Sequence, residues 1–256
     1  ASVHVGFRVV SSSPALASLL QGLDASSSSP SPSPASSKPL QIAVWTTTPW
    51  TLPANQAGAV NPSMAYAVVA SPRVQDGAHF IVATDLVPQF AATMLKSDHV
   101  ESKDDPALAF TVLGELSGAE LVGTEYQHPI HERQTQRVVV GGSYVTAESG
   151  TGLVHTAPGH GMDDFVTGQR EGLQLVSPVD DYGRFTAEAG EALVKKDVLK
   201  AGNEAVVELL RASRALLLVE AYPHKYPYDW RTGKPTITRT TEQWFASVEA
   251  FREDVL

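Results

Sequence analysis

Short apolar runs bounded by Gly, Pro, Ser and Asp make up most of this chain, and they predict β-strands. The predicted strands cover residues 3–9, 40–45, 65–70, 79–83, 110–113, 137–140, 153–156 and 216–220. Helical spacing of apolar residues is rarer and predicts helices at 85–96, 163–171 and 203–211. In the last of these we expect Asn203 as the N-cap and Val206, Val207 and Leu210 on one face. Many short strands with few helices predict an α+β, β-barrel-like domain.

A run of serine and proline interrupts the pattern at residues 26–37, where every position but one is Ser or Pro. Such a segment cannot bury enough apolar surface to offset its ordering entropy. We therefore expect a disordered surface insertion between the strands at 3–9 and 40–45.

Deleting residues 26–37 is expected to leave the melting temperature and any activity nearly unchanged, because long surface loops contribute little to stability. Thermal denaturation and an activity assay of the deletion variant beside the parent would measure this. A large loss of either would mean that the segment packs or binds.

The threonine run Thr46-Thr47-Thr48 lies between Trp45 and Trp50 and is followed by Pro53 and Asn55. β-Branched residues suit a strand, and the prolines after them end it. The result would be a strand end that presents three hydroxyls and two large rings, which suits a polar ligand held against an apolar wall. A threonine-rich edge strand running into a turn is the alternative.

A second unusual run, residues 150–165, reads GTGLVHTAPGHGMDDF and lies about a hundred residues further along the chain. Together the two runs resemble the editing domain of isoleucyl-tRNA synthetases, the insertion called connective peptide 1. Valyl- and leucyl-type editing domains carry an Arg in the threonine-rich peptide and Pro-Ala-His-Asp where this chain has 158–161. The resemblance covers roughly residues 1–10 and 40–256, and a third match, YPYDWR at 226–231 with TEQWF at 241–245, resembles the segment that returns to the synthetase body.

The resemblance implies a division into four parts. Residues 1–24 form a leading β-ribbon strand, 25–39 the insertion, 40–222 the editing core, and 223–256 the return segment. It also implies the editing-domain fold and hydrolysis of valine from mischarged isoleucine tRNA. The family's HIGH and KMSKS signatures are not in these residues, so we expect no aminoacylation by this chain.

The resemblance places the family's ligand to the substrate amino group on Asp164. A carboxylate beside an ammonium forms a strong charge-assisted hydrogen bond. For Asp163 we expect only a favourable position in the first turn of a helix. The hydroxyls of Thr46, Thr47 and Thr48 would bind the ester, the ribose and the attacking water. No base accompanies them in the sequence, so we expect no covalent intermediate.

The remaining pocket residues are expected to shape the site. Trp45 and Trp50 would be walls, unless they are plain core, and Asn55 would bond near the ribose or form a turn. The resemblance makes His155 a wall near the substrate side chain. We also expect Gly152, Gly159 and His160 to contact the substrate. Gly150 and Gly152 lack a Cβ, so the backbone of the 150–152 loop could approach the ligand closely.

Two alternatives remain. His155, His160, Asp163 and Asp164 have the ligand types of a zinc hydrolase, although not in the usual helical HExxH setting, and we favour no metal and no cofactor. The chain could also be a non-catalytic insertion that holds tRNA.

Composition adds limits. The 256 residues are 43% hydrophobic, have no cysteine, and carry a net charge of −9, which argues against general nucleic-acid binding. The basic residues Lys225, Arg231, Lys234 and Arg239 lie among aromatics and could contact tRNA. The alternative, which we favour slightly, is that these aromatics pack on the rest of a synthetase chain.

Further expectations concern partners and location. We expect the partners to be the valine-charged acceptor end of isoleucine tRNA and the rest of the synthetase, with no membrane partner, and a monomer. The chain starts with Ala and shows no signal peptide, which fits a piece of a longer protein that is not secreted. The location would be an organelle matrix (plastid or mitochondrion) or a bacterial cytoplasm.

Overall fold

The structure is a computed structural model that describes residues 2–26, 38–70, 74, 77–94, 110–248 and 252. Most of the serine and proline run, 27–37, lies outside these residues, as does the end of the helix predicted at 85–96. No helix among the described residues is long and apolar enough to cross a membrane.

Strands dominate the described residues. They are β1 (Ser2–Ser11), β2 (Leu40–Thr46), β3 (Ala57–Val60), β4 (Ala65–Ala70), β5 (His79–Ala83), β6 (Thr111–Ser117), β7 (Glu125–Gln127), β8 (Thr135–Val140), β9 (Val154–Thr156) and β10 (Leu216–Glu220). The α-helices are α1 (Pro14–Ser26), α2 (Val87–Met94), α3 (Gly118–Leu121), α4 (Met162–Glu171) and α5 (Ala201–Ala212). Short 3-10 helices span Pro49–Ala54, Thr84–Leu86 and Ala187–Ala189.

The strands join into one ten-stranded sheet in the order β6-β4-β5-β2-β1-β7-β8-β3-β9, with β10 also paired to β1. The β2–β5 and β3–β8 pairs are parallel and the other strand pairs are antiparallel. The end strands β6 and β9 do not pair with each other in the part of the chain described, so the sheet is large but not closed. The α+β class is confirmed, and the barrel-like sheet predicted from the sequence is an open one.

β1 lies in the middle of the sheet, and its apolar residues alternate with polar residues and glycine along most of the strand. Its first half pairs with both β2 and β10, and its second half pairs with β7. Val3, Val5 and Phe7 lie on one face of the strand and are fully buried, and the residues between them, on the opposite face, are buried as well. Residues 1–24, set apart in the sequence analysis as a leading ribbon, therefore supply the middle of the same sheet and the helix α1.

Several predicted elements agree with the structure, and others were wrong or were not predicted. The strands at 65–70, 79–83 and 216–220 have the predicted bounds. The Asn203 cap was wrong, because the helix begins at Ala201 and Lys200 occupies the cap position without a side-chain bond. Helix α1 and strands β3 and β7 were not predicted. β3 is Ala-Gly-Ala-Val, a sequence of weak strand propensity that is held by β8 on one side and β9 on the other.

Candidate active site

The two sequence motifs meet at one place in the fold. The first leaves β2 at Thr46, passes through the 3-10 helix Pro49–Ala54, and enters β3. The second contains β9, which pairs with β3 so that Gly58 lies opposite His155. As a result, the Thr51 hydroxyl lies 3.0 Å from the Nε2 atom of His155. Residues about a hundred positions apart thus share one site.

The threonines form a turn that directly follows β2. Oγ1 of Thr46 accepts a hydrogen bond from the backbone N–H of Thr48 at 3.1 Å and lies 3.3 Å from the Thr48 hydroxyl. All three threonines are half-buried. The Thr47 hydroxyl has no hydrogen bond to any described residue, so it is available to a ligand. Pro49 then begins the 3-10 helix, which ends the strand as predicted.

The two tryptophans differ in accessibility. Trp45 is half-buried and meets the Tyr222 ring edge-on, with ring centroids 5.1 Å apart. Trp50 is only 5% exposed, and its ring packs edge-on against His160 at 5.0 Å. Trp45 can therefore face a ligand directly, whereas Trp50 supports the site from the core.

His155 is buried, with 7% of its surface exposed, and both ring nitrogens have partners. The Asn55 amide lies 2.7 Å from Nδ1, and the Thr51 hydroxyl contacts Nε2. Burial lowers the pKa of His155 to about 3, so the ring is neutral at physiological pH. A neutral, fully bonded imidazole suits a rigid wall and does not suit a general base.

Asn55 ends the 3-10 helix, so of the two readings given for it the turn agrees better with the structure than a bond near the ribose. It is 0% exposed, and its side chain forms hydrogen bonds with the Ala57 carbonyl, the Tyr126 hydroxyl and the His155 ring. It therefore holds His155 from beneath and does not present its amide to a ribose.

Asp164 is a half-buried carboxylate at the start of α4. Its Oδ2 accepts a hydrogen bond from the backbone N–H of Ala157 at 2.9 Å. Burial raises the pKa of Asp164 to about 6, because the ionised carboxylate loses hydration, and the charge of Asp163 adds to the shift. No Lys, Arg or His among the described residues forms a salt bridge with Asp164. A desolvated carboxylate of this kind is suited to an ammonium group supplied by a ligand.

The glycines of the second motif let the chain pack on itself. Gly152 has φ +77°, and a Cβ there would lie 2.3 Å from the Ala83 side chain. Gly150 also has φ +77°, and its Cβ would lie 3.1 Å from the Trp45 ring. At Gly159 a Cβ would lie 2.2 Å from the Val176 carbonyl oxygen. These contacts account for the glycines without a ligand, in contrast to the close ligand approach expected for the 150–152 loop.

His160 is bound to the return segment. Its Nδ1 lies 3.0 Å from the Thr238 carbonyl, which can only accept, so Nδ1 carries the proton. Nε2 is buried without a hydrogen-bond partner, and burial lowers the pKa of His160.

The zinc alternative gains no support from the described residues. Within them, no three or more His, Asp or Glu side chains are grouped so that they could hold a metal ion. His155 and Asp164 each have the other partners described above, and Asp163 is exposed.

The proposed tRNA contacts separate into two kinds. Arg239 is only 20% exposed, and its guanidinium pairs with Asp181 and the Val179 carbonyl. Lys225, Arg231 and Lys234 are exposed, and the Arg231 guanidinium lies 4.8 Å above the Trp230 ring. These three remain available to a nucleic acid, and their role stays a prediction.

The carboxylate of Asp164 is expected to destabilise the fold at neutral pH. Its raised pKa means that the folded state binds the proton more tightly, so stability falls as pH rises from about 4 to about 6. Asp164→Asn removes this cost and can keep the bond from Ala157. We expect it to raise the free energy of unfolding at pH 7.5 by about 1–3 kcal/mol, and by much less at pH 4.

Urea denaturation at the two pH values measures this effect. Asp163→Asn is the matched control, since Asp163 is exposed and should change stability little at either pH. An Asp164→Asn variant no more stable than the parent at pH 7.5 would contradict the interpretation of Asp164 as an uncompensated carboxylate.

No family model matches the chain. It is 53% identical over 220 residues to the isoleucine–tRNA ligase of Gloeothece citriformis, and 52% identical over 217 residues to that of Synechococcus sp.. These matches cover 86% and 85% of this chain. The chain is a relative of the isoleucine–tRNA ligases. It spans only about a fifth of their length, 22% and 21% of these two.

One solved structure has a similar fold. The crystal structure of GlLeuRS-CP1 superposes with a TM-score of 0.60 at 13% identity, covering 88% of this chain and all of that one. At that identity the likeness establishes the fold alone. The chain therefore has the connective peptide 1 fold of class I aminoacyl-tRNA synthetases, as its motifs predicted.

Three residues at the candidate site of this isoleucine–tRNA ligase relative were not predicted from its sequence: Thr51, Tyr126 and Tyr222. Thr51 lies inside the first motif, and its spacing from Thr48 could have indicated a bond to that residue. Tyr126 and Tyr222 lie in segments without any motif, and they reach the site only through the pairing of β7 and the path of the chain after β10.

Proposed function

We propose that this chain is an editing domain that hydrolyses valine from mischarged isoleucine tRNA. The observation that carries the proposal is Asp164, a desolvated carboxylate with no described cation, in the same motif as His155, which contacts Thr51 just after the threonine-rich turn. A mischarged tRNA brings the missing cation as the free ammonium of its amino acid. The hydroxyls of the threonine-rich turn would bind the ester and the ribose.

The chemistry proposed is attack by a positioned water. The Thr47 hydroxyl is available to bind the ester or the water, and Thr46 and Thr48 fix the turn that carries it. His155 is neutral and fully bonded, so it does not take a proton from a threonine, and no covalent acyl-enzyme is formed. The free hydroxyl of the terminal ribose assists the water, and the ammonium bound to Asp164 orients the ester.

The biological reason for such a site is the limit of a single binding pocket. A pocket discriminates against a substrate that lacks one methylene by only about 1–3 kcal/mol, and isoleucyl enzymes are themselves the usual example of this limit. A second site that admits valine and excludes isoleucine corrects the errors. The activity of the whole ligase, including amino-acid activation, would belong to other parts of a longer chain.

A deacylation assay tests the proposal. Isoleucine tRNA charged with labelled valine is incubated with the chain, with and without a chelator. Metal-independent release of valine supports the proposal. Release that the chelator abolishes would favour the zinc hydrolase, and binding without release would favour a tRNA-holding insertion.

The partners and location proposed follow from the same reasoning. The chain acts on the acceptor end of the tRNA as part of a synthetase, and as a monomer. The two ligases compared above come from cyanobacteria, which favours a plastid matrix or a bacterial cytoplasm over a mitochondrion.

A further inference from the structure

A line of hydrogen bonds begins at Tyr126 and reaches His155 through Asn55. The Tyr126 hydroxyl donates to Asn55 Oδ1 at 2.8 Å, and Asn55 Nδ2 lies 3.0 Å from the Ala57 carbonyl. A carbonyl can only accept, so the orientation of the Asn55 amide is fixed by this contact. The same Nδ2 lies 2.7 Å from His155 Nδ1. Nδ1 must therefore accept the hydrogen bond.

The line continues from His155 into the threonine-rich turn. Because Nδ1 accepts, the ring proton of the neutral imidazole lies on Nε2. That N–H donates to the Thr51 hydroxyl at 3.0 Å, and Thr51 in turn donates to the Thr48 carbonyl at 2.9 Å. Each donor is matched to an acceptor, so one arrangement of protons satisfies the whole line.

The base of this line is held by the fold and not by solvent. Tyr126 and Asn55 are both 0% exposed, and the Tyr126 ring stacks on Phe7 of the central strand at 4.9 Å. Water cannot replace a lost partner easily at this depth, and an unpaired buried polar atom is costly. The buried pair Tyr126 and Asn55 therefore fixes the rotation of the His155 ring.

We propose that Tyr126 and Asn55 are positioning residues of the size filter, which hold His155 as its Nε2–H tautomer in one orientation and, through Thr51, fasten it to the turn of Thr48. This inference rests on the proposed function, in which His155 is the wall that excludes isoleucine. A steric wall discriminates only if it cannot move, since overpacking is costly in a rigid pocket and cheap in a soft one. Tyr126 supplies the rigidity without touching the substrate.

Tyr126→Phe tests the proposal by removing one hydroxyl and keeping the ring. Hydrolysis of isoleucyl-tRNA relative to valyl-tRNA is expected to rise about two- to tenfold, the range for one lost hydrogen bond, while valyl-tRNA hydrolysis largely survives. Thr51→Val should act in the same direction from the other end of the line. The control is Val69→Ala, which creates a cavity in a separate hydrophobic cluster and should lower the melting temperature without changing the ratio.

A second measurement does not depend on activity. Nitrogen-15 NMR of the histidine rings, with the His155 signal assigned by its loss in His155→Ala, reports the tautomer. We expect Nε2–H in the parent, and in Tyr126→Phe a mixture of tautomers or faster exchange of the Nε2 proton. An Nδ1–H tautomer in the parent would overturn the proposal, as would a ratio that Tyr126→Phe leaves unchanged. If the parent hydrolyses neither ester, the proposed function fails, and the NMR result still decides whether Tyr126 and Asn55 position His155.

Discussion

Asp164→Ala is expected to lower the rate of valyl-tRNA hydrolysis about 30- to 5,000-fold. This corresponds to about 2–5 kcal/mol, the range for removing one partner of a buried charge pair. The loss arises because the substrate ammonium enters a desolvated position and finds no carboxylate there. Single-turnover deacylation at pH 7.5, with the chain in excess over valyl-tRNA, measures it.

Two comparisons make this result specific. Asp163→Ala should cost far less, because that side chain is exposed. Asp164→Asn should be nearly as inactive as Asp164→Ala although it is more stable than the parent, which separates loss of charge from loss of fold. Equal losses at Asp163 and Asp164 that added zinc rescues would favour the metal hypothesis instead.

The pH profile gives an independent measure of the same carboxylate. The pKa of Asp164 is raised to about 6, and only the ionised form attracts an ammonium. The value of kcat/KM for valyl-tRNA should therefore fall as pH drops below about 6, toward tenfold per pH unit. In Asp164→Asn this limb should disappear.

His155→Ala is expected to admit isoleucine. In an unrestricted apolar pocket the extra methylene of isoleucine would favour its binding by about 0.8 kcal/mol. A preference for valine therefore needs a steric wall, and overpacking against a rigid wall costs about 1–3 kcal/mol. Removing the wall should raise isoleucyl-tRNA hydrolysis about 5- to 150-fold, with valyl-tRNA hydrolysis largely retained. Parallel deacylation assays with the two charged tRNAs measure the change.

The controls for His155 concern the wall and the chemistry. Trp50→Phe is the comparison, because Trp50 is the second candidate for the wall but lies deeper in the core. If Trp50→Phe admits isoleucine and His155→Ala does not, the wall is at Trp50. If His155→Ala abolishes hydrolysis of both esters, His155 takes part in the reaction and the neutral, non-catalytic role described for it is wrong.

The sequence by itself indicated most of the strands, the fold class and the family resemblance. Residues 65–70, 79–83 and 216–220 are apolar runs with turn residues near their ends, so their strand character is a local property. The two motifs could be recognised because each is continuous in the chain. The residue types in them also indicated the chemistry, a carboxylate for an amine and hydroxyls for an ester. The assignment of Asp164 and the threonines to these roles stays a prediction.

The tertiary structure decided how the site is held. Asn55 was expected near a ribose or in a turn. Its side-chain partners Tyr126 and His155 lie 71 and 100 positions away along the chain, and only the pairing of β3, β7, β8 and β9 brings them together. Arg239 was one of four basic residues considered as tRNA contacts, and it pairs with Asp181, 58 positions earlier. The identity of a polar residue in the sequence does not show whether its side chain faces a ligand or another side chain. Which of the two it faces depends on burial and on distant partners, because a buried polar atom must be bonded by whatever the fold places beside it.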